Sequence, residues 1–239
     1  MDVFKKIRFF IISPVYLGKI CEEKKIPHLD YSILTDEYGV VLKIVSGDKE
    51  YIKIFLESLP KDLMFFSGPD FDCHVADLAA GILLEKDLKL SVVESCTGGL
   101  IGKMATDKPG SSSWFWGGFI TYDNSAKRAL GVPAGIIEKY GAVSRETVES
   151  MAEMGLEKSE SGICVSVSGI AGPVGGSFEK PVGTVWIGVK KETTSSYRFL
   201  FSGSRGEIRD KAAQAALLIV YKKLLNKAGV DSNIFEYYI

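Results

Sequence analysis

The chain has 239 residues, with 29 Lys plus Arg against 30 Asp plus Glu, 46% hydrophobic residues and 25% charged ones. That balance excludes a disordered or fibrous chain, and a formal net charge of -1 supplies no overall field to grip nucleic acid or an anionic membrane. The length allows one large domain or two unequal ones, and any anionic ligand has to be held by local groups.

Lys5, Lys6 and Arg8 lead into the apolar run Phe9-Phe10-Ile11-Ile12, which Ser13-Pro14 ends. So short a run falls below both a secretion-signal core and the roughly 20 residues that span a bilayer, so a cytoplasmic protein without a membrane partner is expected. Tyr31 to Ser46 carries β-branched and aromatic residues on either side of Tyr38-Gly39, the pattern of two strands joined by a turn. From Asp48 to Leu63, Ile52, Phe55, Leu56 and Leu59 recur at helical spacing. Ser67-Gly68-Pro69-Asp70 then breaks the chain, which predicts a small α+β domain over 1–68 and a larger domain over 69–239. Asp72 is suited to cap a helix whose buried stripe is Val75, Leu78, Ala79, Ile82 and Leu83.

Beyond that boundary, apolar strands alternate with amphipathic helices. Strands are predicted at Leu90 to Val93, Gly117 to Tyr122 and Ile163 to Val167, with an antiparallel pair at Val182 to Val189 and Ser196 to Phe201. Helices are predicted at Gly98 to Asp107, Ser125 to Leu130, from a Ser144 cap to about Lys158, and at Glu207 to Asn226. The alternation predicts an α/β fold, a three-layer α/β/α sandwich on a mixed, mostly parallel sheet. The apolar tail Ile234 to Ile239 is expected to dock on a core or on a neighbouring subunit, which makes a homodimer the expected assembly.

Cys21, Cys73, Cys96 and Cys164 form no CxxC pair, and His28 and His74 are isolated, so reduced thiols and no metal site are expected. Glu94-Ser95-Cys96-Thr97-Gly98-Gly99 follows a strand and opens a helix, where α/β sheets display reactive groups. Free N–H groups there can face an anion, and glycines admit a close approach; the same pattern is equally a plain helix cap. Ser95 and Cys96 are both candidate nucleophiles, and with no histidine in a suitable segment the candidate base is Lys127, just past another strand end and flanked by Tyr122. Ser168-Gly169-Ile170-Ala171-Gly172-Pro173-Val174-Gly175-Gly176 is a third glycine-rich element without the lysine of a P-loop. Arg205 and Arg209 open the last helix, where one of them could clamp a phosphate.

These motifs occur in one order together with Pro109-Gly110-Ser111-Ser112, Gly117-Gly118-Phe119-Ile120-Thr121-Tyr122, Gly141-Ala142-Val143-Ser144 and Glu179-Lys180-Pro181-Val182-Gly183-Thr184-Val185-Trp186. Residues 73 to 226 thereby resemble the C-terminal domain of the CinA (competence/damage-inducible) family, which includes nicotinamide-nucleotide amidohydrolases. The resemblance implies hydrolysis of the carboxamide of nicotinamide mononucleotide without metal or cofactor, with Ser95 as nucleophile, Lys127 as base and Tyr122 as a proton relay or orienting hydroxyl. N–H groups near Thr97 and Gly98 would meet the oxyanion. Glu94, Thr97, Gly98, Gly99, Ser111, Asn124, Gly172, Gly175 and Arg205 are the expected substrate-binding positions. The first residues loosely resemble the small KH-like linking domain of full-length CinA proteins, and no counterpart of their large N-terminal domain or its ADP-ribose pyrophosphatase activity is expected.

Three segments depart from the family pattern. Asp123 and Ser125 stand in a segment that commonly reads Tyr-Ser-Asn-Glu-Ala-Lys, which is expected to alter the surroundings of Lys127. Ser204 replaces the acid of Gly-Asp-Arg, which is expected to leave Arg205 without its carboxylate, and Phe178 occupies a small or polar position and is expected to narrow the pocket. The rival expectation is a nucleotide-binding or partner-binding module that keeps the pocket without turnover.

Overall fold

The computed structural model describes residues 3–37, 39–68, 73–225 and 234–235. They fall into two units, one ending at Val75 and the other beginning at Ala76.

The first unit opens with β1 (Val3–Phe9) and α1 (Pro14–Glu23), followed by β2 (Leu29–Asp36), β3 (Gly39–Ser46), α2 (Lys49–Ser58), α3 (Lys61–Phe65) and β4 (Ser67–Gly68). Its sheet is antiparallel throughout, in the order β2-β3-β1-β4. Leu17 and Cys21 of α1, Leu42 and Ile44 of β3, and Ile52 and Phe55 of α2 are buried. The single helix predicted over Asp48 to Leu63 is two. Asp48 caps α2 by accepting from the Glu50 N–H at 2.9 Å, but Leu59 is extended at φ -68°, ψ 143°, as the residue before Pro60 prefers. Neither β1 nor α1 follows from the sequence reading. The predicted Asp72 cap lies outside the described residues.

The second unit contains α4 (Val75–Glu85), β5 (Leu90–Glu94), α5 (Leu100–Thr106), β6 (Phe115–Ile120), α6 (Asn124–Leu130), α7 (Ala134–Tyr140) and α8 (Arg145–Ser159), then β7 (Ile163–Gly169), β8 (Thr184–Lys190), β9 (Thr194–Leu200), α9 (Arg205–Leu224) and β10 (Ile234–Phe235). The sheet order is β10-β9-β8-β7-β5-β6, with β6, β5 and β7 parallel, β7-β8-β9 antiparallel and β10 parallel to β9. It is the expected mixed, mostly parallel sheet with helices on both faces. Successive strand residues point to opposite faces, and β5 shows where each leads. Val93 packs with Met151 of α8 in a cluster that includes Leu130, Val132, Ile137 and Cys164, whereas the next residue, Glu94, turns to α5. The stripe predicted on α4 is buried at all five positions, Val75, Leu78, Ala79, Ile82 and Leu83. Ser144 caps α8 by accepting from the Thr147 N–H at 3.2 Å, and α7 is an element that the sequence reading lacks. None of the described helices is long and apolar enough to cross a membrane.

Helix α8 lies so close to the sheet that Gly155 has no room for a side chain: a Cβ there would sit 2.4 Å from Val93 Cγ2 and 2.7 Å from Cys164 Sγ. Gly155→Ala should therefore lower stability by about 1–3 kcal/mol through overpacking, seen as a reduced urea midpoint with an unchanged m-value.

Candidate active site

The parallel strands β5 and β6 and the neighbouring β7 end on the same side, and the chain leaving each of them builds one site. After β5, residues 95–99 make a tight turn closed by Gly98 N–H donating to Ser95 O at 3.1 Å. Gly98 and Gly99 hold φ of 57° and 100°, left-handed values that glycine adopts without steric cost. The turn is fixed from below by Glu94, fully buried. Its Oε2 accepts from the N–H of Gly99 (2.8 Å) and Ile101 (3.2 Å), and its Oε1 from that of Gly102 (2.9 Å). These donors would otherwise be orphans at the start of α5. Glu94 is thus a helix cap, and its expected contact with substrate is corrected: both oxygens are taken by the helix.

After β6, the Thr121 N–H donates to Glu94 O at 2.7 Å, which carries the sheet register past the strand end. Asp123 caps α6, its Oδ1 accepting from Ser125 N–H (2.7 Å) and Ser125 Oγ (2.6 Å). The two departures at this segment thus form one capping pair, which also holds the Asp123 carboxyl below its usual range. Helix α6 sends Lys127 inward. With 1% of its surface exposed, Lys127 donates through Nζ to Ser95 Oγ at 3.0 Å, Thr121 O at 2.7 Å and Tyr122 O at 3.3 Å. Burial pushes its pKa below the usual lysine range, against smaller opposing pulls from Cys96 and Asp123. In the neutral amine two N–H bonds serve the carbonyls and the lone pair is left for the Ser95 hydroxyl proton, the arrangement of a general base.

The two candidate nucleophiles separate clearly. Ser95 faces Lys127, whereas burial pushes the Cys96 thiol up to about 12 despite Arg209 and Lys127 pulling it down. A thiol that stays protonated is a poor nucleophile.

Arg209 was read from the sequence only as a possible phosphate clamp. It donates instead through Nε to Cys96 O at 3.0 Å and through Nη2 to Thr97 O at 2.7 Å, gripping the nucleophile turn. Arg205 donates to Gly172 O at 2.9 Å and to the Tyr122 hydroxyl at 2.8 Å, a carbonyl and a hydroxyl in place of the family's carboxylate. Ser204 has the different job of capping α9, in a reciprocal pair with Glu207. Tyr122 is 57% exposed, and among the described residues its hydroxyl bonds Arg205 rather than Ser95 or Lys127; its backbone carbonyl is what reaches the lysine.

Of the remaining expected positions, Thr97 is buried in the turn with Oγ1 lacking a hydrogen-bond partner. Asn124 is exposed at the first turn of α6, Gly172 is buried beside Arg205, and Gly175 lies on the exposed loop beyond it. Ser111 is not brought to the site. It lies in the 3-10 turn that leads into β6, and because β5 and β6 run parallel this places it at the strand end opposite Ser95. Phe178 is fully exposed, at 103% of its reference surface, on the loop between Ser177 and Lys180, which bond each other. Among the described residues no cluster of His, Cys, Asp and Glu could hold a metal ion.

Strand-end turns thus bring a serine and a buried lysine within hydrogen-bond distance on a mixed α/β sheet, an arrangement chemically able to activate the serine hydroxyl. Residues 73–224 match the model of the CinA C-terminal domain, so the chain belongs to the CinA family. It is 39% identical over 228 residues to a CinA-like protein of Endomicrobium trichonymphae, covering 91% of this chain and 52% of that one. It is 48% identical over 148 residues to a CinA-like protein of Leptospira biflexa, covering 61% and 36%. The chain thus spans about half, or less, of these curated relatives. Among solved structures, competence/damage inducible protein CihA from Agrobacterium tumefaciens superposes with a TM-score of 0.59 at 39% identity, covering 65% of this chain and 99% of that one. A CinA superfamily protein from Klebsiella pneumoniae gives 0.62 at 28% identity, covering 64% and 96%.

The buried lysine sets a pH dependence. Its proton is lost as pH rises through a pKa lowered from 10.5, so labelling of Ser95 by a fluorophosphonate should accelerate with pH and level off below the range of a free lysine. Lys127→Met should remove this rise and slow labelling by roughly 10²–10⁴-fold; labelling followed by intact mass against pH checks both.

Proposed function

We propose that this chain hydrolyses the carboxamide of nicotinamide mononucleotide, giving nicotinic acid mononucleotide and ammonia. The observation that carries the reading is the 3.0 Å hydrogen bond between buried Lys127 Nζ and Ser95 Oγ. Ser95 Oγ attacks the amide carbon as its proton passes to Lys127; the tetrahedral intermediate collapses, the C–N bond breaks, and Lys127 returns the proton to departing ammonia. Water then attacks the resulting ester, again giving its proton to Lys127, and the carboxylic acid leaves with Ser95 restored. Tyr122 and Arg205, bonded to each other at the exposed mouth, are the groups offered to the nucleotide, and Arg205 retains N–H donors for its phosphate.

An oxyanion needs N–H donors, and an account of the turn restricts the choice. Ser95 N–H serves Val167 O, Gly98 N–H serves Ser95 O and Leu100 N–H serves Thr97 O; those of Gly99, Ile101 and Gly102 serve Glu94. Among the described residues the N–H groups of Cys96 and Thr97 are left without an acceptor, so the expected Thr97 and Gly98 pair becomes Cys96 and Thr97, with the unpartnered Thr97 hydroxyl beside them. We take the cytoplasm as the site of action, in keeping with four buried cysteines that form no disulfide among the described residues.

Ammonia release should fall to background in Ser95→Ala and remain substantial in Cys96→Ala. Thr97→Val should keep or raise the melting temperature, because it deletes an unpaired buried hydroxyl, while lowering kcat by about tenfold or more. Assays across nicotinamide mononucleotide, nicotinamide riboside and the dinucleotide identify the substrate. Tight nucleotide binding by calorimetry with no ammonia from any of the three would instead establish the binding module.

A further inference from the structure

We infer that Arg209 is a positioning residue of the oxyanion site, acting through the two carbonyls of the nucleophile turn and not through the substrate. The inference rests on the acyl-transfer reading of Ser95 and Lys127, and extends it to a residue from the far end of the chain.

Geometry comes first. Arg209 lies one turn into α9, half-buried, and its planar guanidinium spans the carbonyls of Cys96 and Thr97 at 3.0 and 2.7 Å. In a trans peptide the C=O and the following N–H point in opposite directions. The carbonyl of Cys96 shares its peptide with the N–H of Thr97, so holding that carbonyl toward α9 turns the Thr97 N–H away from α9. The carbonyl of Thr97 likewise shares its peptide with the N–H of Gly98, which is held on Ser95 O at 3.1 Å. One side chain thus fixes two consecutive peptide planes, including that of the Thr97 N–H, which has no acceptor among the described residues.

Three further observations agree. Position 98 leaves room for the guanidinium, with Nη2 3.4 Å from where a Cβ would stand. The start of α9 is itself anchored by the Ser204–Glu207 capping pair, so Arg209 projects from a fixed base. Its positive charge also acts on atoms of this turn, since Arg209 is one of the groups drawing the neighbouring Cys96 thiol toward its anion against burial. A positive field on a buried turn stabilises negative charge developing there more than it would in water. Lysine cannot replace this grip, because an ammonium is a point donor without the two-pronged plane that spans both carbonyls.

The test compares wild type with Arg209→Lys and Arg209→Ala in two readouts: kcat and KM for ammonia release from nicotinamide mononucleotide, and the rate of Ser95 labelling by a fluorophosphonate, which needs no natural substrate. In both variants kcat should fall by about 10–100-fold while KM stays within about threefold. Ser95 labelling should slow in parallel, and guanidinium ion in the buffer should restore part of both rates in Arg209→Ala. Such rescue separates loss of positioning from loss of fold. A raised KM with unchanged kcat would make Arg209 a substrate ligand and overturn the inference, as would unaltered rates, an unrescued collapse of both variants, or a wild type that the probe does not label. Arg209-dependent labelling without ammonia release from any nucleotide amide would leave the positioning role standing and remove the proposed reaction.

Discussion

The site depends on taking the amine of Lys127 out of water without giving it a buried carboxylate. Desolvation alone favours the neutral form, and the two backbone carbonyls and one hydroxyl around Nζ offer less compensation than an ion pair would. In the proposed reaction this lysine would serve as a base because its surroundings fail to stabilise its charge. That failure has to be built from rigid parts. The carbonyls come from the strand-end residues Thr121 and Tyr122, the helix start is locked by Asp123 and Ser125, and Val132, Ile137 and Met151 pack the interior behind α6.

Around that amine, the turn after β5 is governed by a division of labour between two oppositely charged side chains. Glu94 collects N–H groups from the start of α5, and Arg209 collects C=O groups from the turn itself. Each group satisfied internally is removed from competition for a ligand, and among the described residues what stays available is the N–H groups of Cys96 and Thr97 with the Thr97 hydroxyl beside them. Ser95 and Cys96 are neighbours in the chain, yet one is exposed to a base and the other is buried against Gly169, where an added Cβ would meet its sulfur at 3.1 Å. Their chemistry differs because their environments do.

Much of the second unit was legible because its signals are local. Alternation of strands and helices, Ser144 before α8, and the apolar stripe on α4 all lie within a few residues of what they determine. The family motifs likewise pointed to Ser95 and Lys127, which the structure brings together. What escaped depends on distance in sequence. Arg209 meets carbonyls more than a hundred positions earlier, and no pattern on α9 announces that partner. Glu94 stands among the substrate-binding positions expected from the family resemblance; only the path of α5 shows that its oxygens accept from that helix. Ser111 shares a motif with site residues but precedes its strand instead of following it. In the first unit, β1 was concealed by Lys5, Lys6 and Arg8, three cations in a strand of seven residues, although Arg8 is buried on Asp36 at 2.6 Å.

The carboxylate of Glu94 has one more consequence. The start of a helix usually offers a ready cradle for a phosphate, since its N–H groups and its dipole are both unsatisfied there. In this protein that seat is already taken by an acid belonging to the chain itself. A negatively charged guest would be repelled by the resident carboxylate, so the reactive end of the ligand, neutral until attacked, is the part that suits the turn. In the proposed reaction the charged end would lie outward, toward the guanidinium that bridges Gly172 and Tyr122. The buried acid would thereby set which way round the proposed nucleotide enters.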